Sequence, residues 1–151
     1  LKKKTVTRTV TEKALHWSLA FSVLAVWFVL ENGDAPHRYV GYFAFGVALV
    51  QQILAFVKKS REGGLDLVSD HPYLAFTVHN IIWVLVALLA VSGWMMSLDR
   101  FWGEEWLERL HEAFSWALAA FVVFHLLGVL RDAFKYKRAT WLLMITKVRS
   151  K

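Results

Sequence analysis

The chain has 151 residues, 57% of them hydrophobic, with 18 Lys and Arg, 12 Asp and Glu and no cysteine. Without a thiolate, disulfide scaffolds, thiolate zinc sites, iron–sulfur clusters and cysteine nucleophiles are excluded. Eight Trp, eleven Phe and four Tyr lift the apolar share above the roughly 45–50% usual for soluble domains, so a membrane protein is the first class to test.

The first apolar run covers residues 15–30, and residues 6–14 can extend it as helix. It lacks a small-residue cleavage site and equally apolar runs follow, which argues against a signal peptide. Asn32-Gly33 suits a left-handed helix end, and Asp34 before Pro36 suits the start of a second helix, whose apolar part is 39–57. Ser69 or Asp70 before Pro72 opens the third, apolar over 74–98, and the fourth apolar run is 110–130. Each run lies near the roughly 20 residues that cross a hydrocarbon core. Runs of this continuity are expected to be helices, because lipid offers no partner to unpaired backbone groups. No Pro falls inside a run, and no repeat or low-complexity linker is present. The expectation is an all-α, transmembrane four-helix bundle with up-down-up-down topology, one domain over residues 1–151.

Cations set the orientation. Fifteen of the 18 Lys and Arg fall in the N-terminal segment to Lys13, the second loop and the tail from Arg131. Arg38, Arg100 and Arg109 are the other three, beside six acids in the first and third loops. The positive-inside rule therefore places both termini in the cytoplasm. Lys and Arg clustered beside spans interact with anionic lipid, so the basic balance needs no nucleic acid.

Five of the six histidines, His16, His37, His79, His111 and His125, sit in or at the edge of a run, where ionisable side chains suggest function. His71 lies in a polar loop and reads as solvated. His111 and His125, 14 residues apart, stand about 40° apart in direction and about 21 Å apart along one helix. They share a face but not a metal ion. Depth brings His111 toward His37 at the outer surface, and His125 toward His16 in the inner half. His79 is also on the inner side, so three imidazoles compete there for two positions and spacing leaves the choice open. Facing imidazoles without a carboxylate or thiolate beside them suit bis-histidine ligation of haem, whereas zinc wants four ligands. Gly41, one turn from His37, would spare a porphyrin edge. Gly46, Gly93 and Gly128 read equally well as close helix contacts.

His16-Trp17 on the first helix, His37-x-x-x-Gly41, Leu110-His111-Glu112, His125 and the closing basic tail resemble the bacterial cytochrome b561 and hydrogenase-type cytochrome b group over nearly the whole chain. The resemblance implies a four-helix inner-membrane protein with two b haems that passes electrons between a periplasmic donor or acceptor and quinone. It assigns the iron ligands to His16, His37, His111 and His125. His79-Asn80, followed by an aliphatic run to Gly93-Trp94-Met95-Met96, is similar to the superoxide oxidase type, in which His79 would lie by a quinone pocket. Hydrogenase-linked relatives tend to carry an Arg and, three residues on, a Trp where this chain has Gln51 and Leu54.

Two ligated imidazoles leave no open coordination position, which favours electron transfer over oxygen binding. An anionic donor such as superoxide would use a basic entrance, for which Arg38, Arg100 and Arg109 are candidates. The acidic loops suit instead a periplasmic redox partner, such as a basic cytochrome c, a dehydrogenase or a hydrogenase, for which the chain would serve as the cytochrome b subunit. Ubiquinone entering from lipid needs apolar walls and a few polar groups. His79, Asn80, His71 and Lys58 are the candidates. Trp102 and Trp106 read as an interfacial belt, and Trp116, Phe121 and Phe124 as packing.

Overall fold

The computed structural model describes residues 9–62 and 72–136. Four helices follow in order: α1 Val10–Phe28, α2 Ala35–Glu62, α3 Pro72–Met96 and α4 Glu105–Tyr136, with one 3-10 turn at Asp99–Phe101 before α4. There is no strand among the described residues.

The ends have local causes. Thr9 caps α1: its hydroxyl accepts from the Glu12 N–H at 3.1 Å, and the Glu12 carboxylate accepts from the Thr9 N–H at 2.9 Å, a reciprocal capping box. The Val29 and Leu30 N–H groups both donate to the Ala25 carbonyl at 3.0 Å, which closes α1 before the expected residue 30. Gly33 does adopt a left-handed φ of 85°, but in the turn rather than at the helix end. Asp34 accepts the Arg38 N–H at 3.2 Å, so α2 starts where Asp34 and Pro36 suggest. Pro72 opens α3 as expected, while Ser69, Asp70 and His71 lie outside the described residues. α4 is longer than its apolar run at both ends, because Glu105 and Glu108 suit the positive first turn and Lys135 the last.

Side-chain contacts set the directions. Lys58, late on α2, pairs with Glu12, early on α1, at 3.4 Å, so these helices are antiparallel. On α4, His111 meets Ser92 and His125 meets His79, which makes α3 and α4 antiparallel. Trp116 meets Trp27 and His125 meets His16, which does the same for α1 and α4. The result is an up-down-up-down bundle. Consecutive helices pack along their backbones, whereas α1 and α4 meet through long side chains.

The buried centre is thin: Leu19, Ala44, Val47, Ala48, Leu85, Val86 and Leu118, drawn from all four helices. Ala44, Ala48, Ser22 and Ser92 are small, which lets backbones approach. Large apolar side chains point outward instead, among them Phe56 at 71% and Phe134 at 82% exposure. Such a surface belongs in lipid rather than water. Helices α2, α3 and α4 are each long and apolar enough to cross a membrane, over Ala35–Lys58, Phe76–Met96 and Glu105–Lys135. α1 carries Glu12, Lys13 and His16 in its first turns and its apolar residues beyond them.

Candidate functional site

Four of the histidines lie in two tiers. At the end of the bundle holding the α1–α2 and α3–α4 turns, the His37 and His111 ring centroids are 6.5 Å apart and the planes are inclined by 54°. Toward the end where α1 begins and α4 finishes, His16 and His125 are 6.2 Å apart and inclined by 57°. All four rings are partly buried. α4 supplies one imidazole to each tier, the 14-residue spacing keeping both on the same side of the helix.

His79 also reaches the second tier. Its centroid is 4.8 Å from that of His125, edge-on at 87°. Bonds of about 2 Å from iron to each ligating nitrogen, and about 1.2 Å from nitrogen to ring centre, set opposed axial rings about 6.4 Å apart. Both tiers have that spacing and the His79–His125 pair does not. Among the described residues, no three His, Asp or Glu side chains come together as a metal-holding group, so the donor set is pairwise. The only two buried side-chain nitrogens found without a hydrogen-bond partner among the described residues are His37 Nδ1 and Gln51 Nε2. Gln51 stands 14 residues beyond His37 on α2, about 21 Å along the axis, and so at the depth of the second tier. Buried side-chain nitrogens without a protein partner at both depths mark polar groups that the helices themselves leave unsatisfied. The residues present therefore fit haem.

Ser92 carries no signal strong enough to single it out in the sequence, yet its Oγ lies 2.7 Å from His111 Nδ1 and donates to the Leu89 carbonyl at 3.2 Å. A clue was available: it is the one hydroxyl between Thr77 and Ser97. The neighbouring Gly93 lies against the same ring, and a Cβ there would meet His111 Cε1 at 3.5 Å, an ordinary contact.

Gly41 is half-buried and a Cβ would meet nothing within 4 Å, while Gly46 and Gly128 are exposed. Open space in front of a half-buried glycine is room for a flat ring. Asn80 is half-buried beside His79 on α3. Lys58 is engaged by Glu12 between α2 and α1. The three cations at the turn end are spread out: Arg38 is exposed, Arg100 lies over the Phe101 ring at 5.6 Å, and Arg109 pairs with Glu105 at 3.1 Å on an exposed turn of α4. Trp102 is 79% exposed and Trp106 donates to Glu104 at 3.1 Å. Trp116 and Phe124 face outward, and Phe121 packs on the core.

Searches of curated proteins and of solved structures gave no match. The sequence model of one family, described as prokaryotic cytochrome b561, matches residues 7–147. The chain, with its lipid-facing helices and paired imidazoles, belongs to the prokaryotic cytochrome b561 family of membrane proteins that bind haem b and carry electrons.

Proposed function

We propose that residues 1–151 form a single diheme domain of the bacterial inner membrane, with both termini cytoplasmic, that passes electrons from a periplasmic donor to ubiquinone. His37 and His111 hold the periplasmic-side haem, and His16 and His125 hold the cytoplasmic-side haem. The observation that carries this reading is the pair of ring separations, 6.5 and 6.2 Å. A b haem held by two imidazoles supplies one-electron transfer at its edge and offers no site to a ligand. The protein's part is placement. α4 fixes the two tiers about 21 Å apart, Gly41 leaves space beside the upper one, and the apolar helices exclude water.

Superoxide is the donor we favour. Two superoxide anions each give up one electron, and ubiquinone takes both with two protons. Arg38, Arg100 and Arg109 bring an anion toward the His37–His111 tier. His79 and Asn80 on α3, with His71 and Lys58, are the polar groups we assign to the quinone side, and Lys58 must exchange its Glu12 contact to serve there.

A second reading has its own support. Glu31, Asp34, Asp99, Glu104, Glu105 and Glu108 are all exposed at the turn end, with Trp102 and Trp106 among them. That surface fits a basic cytochrome c or another periplasmic redox subunit. Two measurements separate the readings. A reduced spectrum should show split b-type bands at two haems per chain. Purified protein given superoxide should then reduce ubiquinone catalytically; two haems without catalysis would favour the subunit role, and a colourless protein from haem-replete cells would end both.

A further inference from the structure

We infer that Ser92 is a positioning residue for His111: it holds the imidazole in the tautomer that leaves Nε2 free for iron and strengthens His111 as an electron donor to that haem. The inference rests on the proposal that His111 is an axial ligand. Ser92 Oγ stands 2.7 Å from His111 Nδ1 and 3.2 Å from the Leu89 carbonyl oxygen. A hydroxyl has one proton to give and lone pairs with which to accept. With that proton given to Leu89, Ser92 accepts the His111 Nδ1–H, and Nε2 keeps its lone pair. The opposite arrangement, Ser92 donating to Nδ1, puts the imidazole proton on Nε2 and removes it as a ligand. Ligation through Nε2 therefore goes with Ser92 accepting from Nδ1–H, and the Leu89 carbonyl is there to take the hydroxyl proton.

The surroundings make the contact firm. Ser92 is 3% exposed, so neither water nor lipid headgroups compete for it. Gly93 brings the α3 backbone against the same ring, with His111 Cε1 at 3.5 Å from where a Cβ would stand. Across the tier, His37 Nδ1 is buried without a partner. The support is thus one-sided and comes from α3, which supplies no ligand in the proposed scheme. At the other tier the α3 side chain touching the α4 imidazole is the His79 ring, edge-on to His125. An acceptor on the distal N–H makes an imidazole a stronger donor, which favours the more positive, oxidised iron and lowers the potential of that haem alone.

The test is an optical redox titration of the full-length, haem-loaded protein, with Ser92→Ala, Ser92→Thr and His111→Ala beside the parent. Ser92→Ala should keep two haems and shift one of the two transitions to higher potential, with the other unmoved. The low-spin electron paramagnetic resonance signal of the same haem should change. Ser92→Thr, which keeps the hydroxyl, should restore both readouts. Two unmoved transitions in Ser92→Ala, with one haem lost from His111→Ala, overturn the role of Ser92 and leave the ligand assignment standing. Two haems retained in His111→Ala overturn the ligand assignment and this inference with it.

Discussion

Replacing His16 and His79 in turn is the sharpest test of which imidazole faces His125. Rings opposed across one iron need a centroid separation of about 6.4 Å, two metal–nitrogen bonds of about 2 Å plus the depth of each ring. The His16–His125 separation of 6.2 Å meets that requirement to within about 0.2 Å. The His79–His125 separation of 4.8 Å falls about 1.6 Å short. His16→Ala should therefore lower haem content from two per chain to one, measured as pyridine haemochrome against protein. His79→Ala should keep both haems and slow ubiquinone reduction. The reverse pattern, one haem lost from His79→Ala and two kept in His16→Ala, would refute the pairing.

Further outcomes follow from single features. Gly41→Leu should cost one haem with helix content by circular dichroism unchanged, whereas Gly46→Leu should keep both, because Gly41 is half-buried beside open space and Gly46 is exposed. Leu107, 1% exposed, is the most buried large side chain among the described residues, and Leu107→Ala should destabilise the fold by about 2–5 kcal/mol in a denaturant titration. Thr9→Ala removes the cap of α1 and should cost about 1 kcal/mol, seen as faster amide exchange in the first turns. Neutralising Arg38, Arg100 and Arg109 together should slow superoxide oxidation and flatten its dependence on ionic strength; an unchanged rate at low salt would remove these residues from the donor path.

Most of the architecture is legible in the order of residues, and the exceptions have physical causes. Apolar runs and Asp34, Pro36 and Pro72 locate four helices because lipid and missing N–H groups leave few alternatives. The early stop of α1 is not legible: Val29 and Leu30 are as apolar as the helix before them, and only the shared Ala25 carbonyl ends it. α4 overruns its apolar stretch because charged ends suit a helix dipole as well as a membrane surface. The pairing of His37 with His111 and His16 with His125 is readable from depth, because antiparallel helices of known rise bring those residues level. The edge-on approach of His79 depends on how α3 is rotated against α4, which spacing along one chain does not encode. Ser92 escapes for a related reason: hydroxyls in apolar helices commonly bond back to their own backbone, as Ser22 does to the Ser18 carbonyl at 2.7 Å.

Because α4 alone contributes to both tiers, its 14-residue interval between His111 and His125 acts as a spacer bar. Inserting a single residue near position 118 would swing the lower imidazole by about 100° and carry it out of line with its mate. Adding seven would keep the facing to within about 20° but carry His125 roughly 10 Å along the axis, past His16, which stays fixed on α1. Either insertion strips the lower cofactor and spares the His37–His111 tier, so that site depends on the level match between α1 and α4 as much as on direction.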